Sequence, residues 1–259
     1  MLNYIRAELY KVLRRKYVYI TLGIFLLLES LMVAGYAFHN SHSYPTPFGG
    51  AIIIVLEFGA IGSCMCLLTG DMVFATQYKN STLKNEVSFG LSRARVYLGK
   101  LIAMALMSVA FMVVMLGYFL GLCAVILPHE GAVGFYSTAD ALLIVGYFLG
   151  ACLPLWLGGQ AVACMCLFLV HNEIGSSFLY VGIYMVLDTF VELAGLLVRG
   201  NLGSLLLKIH EYMPGPVMSA AKSVVGDWAF LGKAWIVGLF WVAVSTAVGI
   251  WGFKRKEIK

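Results

Sequence analysis

Six long apolar runs, separated by short polar stretches, constrain this chain more than any other feature of its sequence. Each run has the roughly 20 residues that a helix needs to cross a hydrocarbon core about 30 Å thick. None shows the alternation of a lipid-facing barrel strand, so the runs predict helices. They cover about residues 17–38, 48–70, 99–127, 139–170, 176–198 and 233–253.

Composition agrees with this pattern, because 61% of the residues are hydrophobic and 12% are charged. The mean hydropathy is +0.89. Such a chain has too little polar surface for a water-soluble core. We therefore predict an all-α polytopic membrane protein, with six transmembrane helices in a single transmembrane domain over residues 1–259.

The basic residues predict its orientation, since lysine and arginine near span ends are retained on the cytoplasmic side. An even number of spans places both termini on one side. Fourteen of the 18 basic residues then lie on that side: Arg6, Lys11, Arg14, Arg15, Lys16, Lys79, Lys84, Arg93, Arg95, Lys100, Lys254, Arg255, Lys256 and Lys259. We predict cytoplasmic termini. The net charge of +5 is explained by this topology, so we expect no nucleic-acid partner.

Residues 1–16 precede the first apolar run and predict an amphipathic helix lying on the bilayer surface. Its apolar face would contain Leu2, Ile5, Leu9, Val12 and Leu13, with Arg6, Lys11, Arg14 and Arg15 mostly on the other face. A cleaved signal peptide is the alternative. The following apolar stretch is longer than the 7–15 residues of a signal peptide, which favours a retained first span.

Four acidic residues lie well inside the apolar runs, away from their ends, and are candidates for a substrate path. Glu29 lies near the middle of the first run and Glu57 in the second. An ionisable side chain at mid-membrane costs about 2.5 kcal/mol or more, so it usually faces a cavity or a partner. Packing against neighbouring helices is the alternative role. Between these two, we expect Glu57→Gln to impair activity more than Glu29→Gln.

Asp188 and Glu192 form the second acidic pair, four residues apart and therefore on one helix face. We expect them in the outer half of the fifth span. They would meet a cationic substrate there, or be solvated at the external mouth.

A short repeat, GYFLG, occurs in the third and fourth runs. It places Gly117 and Gly121 in one run and Gly146 and Gly150 in the other. Glycines four residues apart let helices approach closely, so we expect the third and fourth spans to pack at these positions. Pro154, followed by two glycines, predicts a kink or a break in the fourth span.

No catalytic constellation is recognisable. The P-loop pattern and common hydrolase motifs are absent from the sequence, so the chain is not expected to be an enzyme or to bind ATP itself. All six cysteines fall in apolar runs, which argues against disulfides. Residues 64–66 and 164–166 both read Cys-Met-Cys. Helical residues two apart point in nearly opposite directions, so packing is favoured over soft-metal binding and no metal site is expected.

A long connection at 199–232 precedes the last run. Its apolar periodicity on both sides of Pro214-Gly215-Pro216 predicts two short helices on the extracellular face. This segment is a candidate gate, although a passive connector fits the sequence equally well.

Residues 71–100 form a polar, basic island that carries a family resemblance. The pattern consists of Asp71, Gln77, Tyr78, Ser81, Thr82, Leu83, Lys84, Ser88, Ser92, Arg93, Tyr97 and Lys100. It resembles the cytoplasmic stretch of permease subunits in type-2 ATP-binding cassette exporters, and most closely the small permeases of bacitracin resistance and lantibiotic immunity. The chain departs from that pattern at Gln77, where glutamate is common, and at Ser81, where glycine is common.

The resemblance implies a bacterial cytoplasmic-membrane permease that exports or removes an amphipathic antimicrobial peptide or a lipid-like compound. Two permease chains, identical or paralogous, would pair and engage two ATP-binding subunits, which would bind ATP and Mg²⁺. Residues 71–98 would be the coupling region, with Gln77, Tyr78, Lys79, Thr82, Leu83, Lys84 and Asn85 in contact with the ATPase. A sodium-exporting permease and a non-transporting membrane anchor or sensor are the alternatives.

Overall fold

A computed structural model of the chain describes residues 1–40, 46–80, 88, 90–129, 137–170 and 172–255. Within these ranges all regular structure is helical. The elements are α1 Leu2–Leu13, α2 Lys16–Asn40, α3 Phe48–Ile53, a 3-10 stretch Ile54–Phe58, α4 Gly59–Asn80, α5 Arg93–Ile126, α6 Thr138–Leu169, α7 Glu173–Tyr180, a π-helical stretch Val181–Val186, α8 Leu187–Leu197, α9 Asn201–His210, α10 Pro214–Ala220 and α11 Trp228–Arg255.

Among the described residues, five helical stretches are long and apolar enough to cross a membrane: α2, α5, α6, the continuous stretch from α7 to α8, and α11. A sixth candidate is a bent pair, Phe48–Glu57 and Ile61–Phe74, whose halves meet at 62°. The predicted all-α membrane fold is confirmed. The second span, however, is broken rather than straight.

The bend in the second span is held by a side chain from another helix. The indole nitrogen of Trp156, in α6, donates a hydrogen bond to the carbonyl of Gly59 over 3.1 Å. The same ring occupies the space that a Cβ on Gly62 would need, with its nearest atom 2.3 Å from that position. A break in a membrane helix requires such partners for its backbone, and α6 supplies one here.

The centre of the bundle is α6, the most buried of the five long helical stretches. It runs without interruption through Pro154, so the predicted break does not occur. Pro154 instead lies against α11, where a Cβ on Gly238 would come within 2.3 Å of the proline carbonyl carbon. Glycine at 238 therefore allows the backbones of α6 and α11 to touch.

The predicted packing at the GYFLG repeat is not seen in the described residues. A Cβ at Gly117, Gly121 or Gly146 would have no atom within 4 Å beyond its own local backbone. At Gly150 the nearest atom would belong to Leu231, 3.9 Å away. Another helix backbone therefore comes close at Gly238, whereas Gly117, Gly121 and Gly146 face open space.

Both ends of the chain lie at one end of the bundle. α1 packs against α5, and Arg93, at the start of α5, donates hydrogen bonds to the carbonyls of Phe253 and Lys254. An aromatic cluster fills the space between α4, α5, α6 and α11 at this end. It consists of Phe74, Tyr97, Phe168 and Phe253. Segment 199–232 contains α9 and α10, with α9 packed along α8.

Candidate functional site

The packed face of α1 carries a glutamate. Glu8 is only 1% exposed and pairs with the fully buried Lys100 of α5, whose Nζ lies 3.0 Å from Glu8 Oε2. Lys11 donates to the other carboxylate oxygen over 2.6 Å. We call this group, together with Arg15, the N-terminal clamp.

The clamp changes the interpretation of α1. The buried positions are Glu8 and Val12, whereas Leu2 and Leu13 of the predicted apolar face are 61% and 47% exposed. One side of α1 therefore docks on the protein through an ion pair, and its exposed leucines are available to lipid.

The surroundings of Lys100 explain how a charge is tolerated there. Its ammonium lies 5.8 Å from the ring centre of Tyr4 and 5.6 Å from that of Phe74, so both rings add cation–π attraction. Burial alone would raise the pKa of Glu8. The charge of Lys100 and the hydrogen bonds from Lys11 and Lys100 outweigh burial and lower the pKa below its ordinary value.

Two further bonds tie the clamp to other helices. Arg15 donates to the carbonyl of Met72 in α4 over 2.5 Å. Arg93 holds the last carbonyls of α11 at 2.9 and 2.8 Å, where a cation also complements the helix dipole. The clamp and Arg93 thus fasten α1, α4, α5 and α11 at the two ends of residues 71–100.

The predicted coupling residues lie between these fastened ends. The backbone of Gln77, Tyr78 and Lys79 belongs to the last turns of α4, but their side chains are outside the described residues. Thr82, Leu83, Lys84 and Asn85 also lie outside the described residues.

A cavity of about 230 Å³ lies among α2, the broken second span, α5 and α6. Its wall is mostly aliphatic, aromatic and thioether, with Phe25, Met65, Phe111, Met115 and Trp156 among the lining residues. Glu29 is the one acidic residue of that lining. We call this space the Glu29 cavity.

Glu29 is 8% exposed. Its Oε2 atom is buried and has no hydrogen-bond partner among the described residues. No lysine, arginine or histidine belongs to the lining. A buried carboxyl without a partner is costly, so this atom marks a place where another group can be bound.

The structure places Glu57 elsewhere. It lies at the bend of the second span with its side chain 71% exposed, and pairs with Lys222 over 2.5 Å. The expectation that Glu57 lies within a regular span therefore fails, because the helix breaks there. This pair joins the bend to the turn that follows α10.

Asp188 and Glu192 meet α9 rather than the Glu29 cavity. The ring nitrogen Nδ1 of His210 lies 3.1 Å from the main-chain oxygen of Asp188, and its Nε2 lies 3.9 Å from Glu192 Oε2. The Asp188 carboxylate also abuts Gly215, where it would collide with an added Cβ. This acidic pair thus anchors segment 199–232.

Sequence reasoning did not find the polar contacts between the spans. Gln160 of α6 is 1% exposed and donates to Thr69 of α4 over 2.8 Å. Tyr180 donates to the carbonyl of Ser63 over 2.8 Å. The signal available was the presence of glutamine and tyrosine in apolar runs, which need partners there.

The cysteines are free thiols, and five of the six are buried. Among the described residues there is no group of three or more histidine, cysteine, aspartate or glutamate side chains placed to hold a metal ion. Cys66 illustrates their role, since its sulfur lies 3.5 Å from the carbonyl oxygen of Trp156 at the α4–α6 contact.

A known protein family matches most of the chain. Residues 4–190 match the ABC-2 family transporter proteins. The chain belongs to this family. It is therefore the membrane permease component of an ABC-2 type transporter, and permeases of this type generally pair with ATPase subunits. No nucleotide-binding domain is found in the chain, and no curated protein matches it.

The matched region contains both the N-terminal clamp and the residues that line the Glu29 cavity. It ends within α8, before segment 199–232. The clamp and the cavity therefore both lie in the part of the chain that matches the family.

Proposed function

We propose that this permease exports or removes an amphipathic antimicrobial peptide or a lipid-like compound across a bacterial cytoplasmic membrane. Both termini face the cytoplasm, as does the region 71–98. Two permease chains, identical or paralogous, pair and engage two copies of an ATP-binding subunit, which binds ATP and Mg²⁺.

The N-terminal clamp is the observation that supports coupling to an ATP-binding subunit. It fixes both ends of the coupling region, with Arg15 bonded at Met72 and Glu8 paired with Lys100. A force applied between these points is transmitted to α1, α4 and α5 together. Glu8 joins α1 to α5, and Arg15, just after α1, bonds to α4. A partner that pulls on residues 77–85 therefore moves α4 and α5, which both line the Glu29 cavity, and a shift of packed helices is one way to switch a membrane protein between states.

Substrate class and direction rest on the resemblance of residues 71–100 to the bacitracin-resistance and lantibiotic-immunity permeases. An apolar cavity containing one carboxyl is compatible with an amphipathic substrate.

The arrangement of acidic residues disfavours the ion-exporting alternative. Glu29 lines the cavity, Glu57 pairs with Lys222, and Asp188 lies beside α10. These carboxyls have separate partners, so the described residues offer no shared carboxylate site for an ion.

Two experiments test the proposal. Mild-detergent purification of the full chain from its native membrane should recover an ATP-binding subunit, whereas a preparation that lacks any such subunit supports the anchor or sensor. In the reconstituted complex, alanine at both Tyr78 and Leu83 should abolish substrate-stimulated ATP hydrolysis and transport while the complex elutes normally. Alanine at both Tyr10 and Leu13, which are exposed on α1 outside the coupling region, provides a matched control. Full transport by the Tyr78 and Leu83 double variant contradicts the coupling role.

A further inference from the structure

We propose that the Glu29 cavity binds the protonated amine end of an amphipathic ligand, with Glu29 as counter-ion and the apolar wall around the adjoining hydrophobic group. This deepens the proposed function by assigning a substrate chemistry to one place within a single permease chain. Binding does not require ATP or a partner subunit, so it can be tested separately from transport.

Charge is the first argument for a cation. Glu29 is more than nine-tenths buried, lines the cavity, and leaves Oε2 without a hydrogen-bond partner among the described residues. The lining contains no basic side chain that would neutralise it. An ammonium group supplies the opposite charge together with donors, and charge-assisted hydrogen bonds are the stronger kind.

The wall defines the rest of the ligand. Phenylalanine, methionine, leucine and valine dominate the lining, and the hydroxyl of Ser108 is its other side-chain oxygen. Methionine thioethers adapt to irregular apolar shapes and make favourable contacts with aromatic rings. The ligand group next to the amine is therefore aromatic or branched aliphatic.

Size limits how much of a ligand enters. A cavity of about 150 Å³ accommodates benzene, so about 230 Å³ holds a ring with a short alkylamine. A whole peptide does not fit. The two sources that share the required chemistry are a free amphiphilic amine and the amino-terminal residue of a hydrophobic peptide.

The rim shows where such a ligand enters. Leu28 and Ile61 line the cavity and are 55% and 39% exposed. Both belong to candidate membrane spans, so the mouth opens sideways toward the lipid. An amphiphile already partitioned into the bilayer reaches Glu29 without passing through water.

The test uses the full chain in nanodiscs and a brominated phenylbutylamine, because bromine quenches a nearby indole and Trp156 lines the cavity. The matching phenylbutanol has the same body without the charge. We expect the amine to quench the wild type with an affinity about tenfold or more above the alcohol. Empty nanodiscs with added free tryptophan correct for partitioning into lipid.

Single substitutions show which residues are responsible for the preference for the amine over the alcohol. Glu29→Gln should remove the preference for the amine, and Glu29→Asp should retain most of it. Glu57→Gln should behave as wild type, since Glu57 pairs with Lys222 outside the cavity. Trp156→Phe should remove the saturable part of the quenching and leave the part that comes from the other four tryptophans. Equal affinity of the wild type for amine and alcohol, or an undiminished preference in a normally eluting Glu29→Gln protein, overturns the inference.

A second arm distinguishes the sources, using a short Phe-Leu-Leu peptide amide as competitor with a free or an acetylated amino terminus. Competition by the free form alone assigns the cavity to peptide amino termini. Amine binding without peptide competition assigns it to free amphiphilic amines. Failure here leaves recovery of an ATP-binding subunit unaffected, so the two proposals fail independently.

Discussion

Glu8 and Glu29 are both glutamates buried by helix packing, yet their surroundings are opposite. Glu8 has two lysines within 3.0 Å and two aromatic rings around its main partner. Glu29 has a carboxylate oxygen without a partner among the described residues, in a cavity lined by apolar side chains. The comparison indicates that the first carboxyl holds the fold together and that the second is kept available for a ligand.

The largest expected effect comes from removing one partner of the Glu8–Lys100 pair. Lys100→Met leaves a buried carboxylate uncompensated and should lower the free energy of unfolding by about 3–5 kcal/mol. Glu8→Leu should cost a similar amount, because it leaves the buried ammonium unpaired. Thermal unfolding of the purified chain in detergent measures both.

The double variant Glu8→Leu with Lys100→Met provides the control for that prediction. Replacing both members of a buried ion pair by apolar groups is often neutral, so the double variant should recover most of the lost stability. If the two losses simply add, the residues are not coupled and the clamp is not an ion pair in solution.

Glu29 should respond in the opposite direction. Glu29→Leu removes an unsatisfied buried oxygen and should raise the free energy of unfolding by about 1 kcal/mol, while reducing amine binding and transport. Glu57→Gln serves as the matched control and should change stability little, because a largely exposed ion pair contributes about 0–1 kcal/mol. A marked loss of stability in the Glu29 variant would make that residue a structural one like Glu8.

The smallest expected effect is a pH dependence of the unfolding midpoint that comes from Glu8. The pKa of Glu8 is lowered in the folded state, so its stabilisation is fully present above the unfolded pKa. It is lost as pH falls through the folded value. The unfolding midpoint of the wild type, measured relative to that of the double variant, should therefore fall as the solution is acidified below the ordinary range of a glutamate. Parallel pH profiles for the two proteins contradict the ion pair.

Hydropathy was sufficient to predict an all-helical membrane protein, because apolar length alone determines whether a helix can span a bilayer. It did not predict the break at residues 54–58. That break depends on the indole of Trp156, almost 100 residues further along the chain. A contact of this kind leaves no periodic signal in the local sequence.

The same limit applies to the candidate sites. Glu29 was predictable, since a carboxyl in an apolar run is costly wherever the chain folds. Glu8 was not, because it lies in a helix already rich in charge and its partner Lys100 is 92 residues away. The four-residue spacing marked Gly117 and Gly121 as possible packing positions, but spacing does not reveal which glycine meets another helix. In the structure, Gly238 meets the backbone of α6.

The bend in the second span has a consequence for any transport cycle. Val55 lines the Glu29 cavity, and Glu57, two residues later, pairs with Lys222 beyond α10. The Glu57–Lys222 pair is therefore an exposed tether, and it anchors segment 199–232 to the same broken helix that supplies part of the cavity wall.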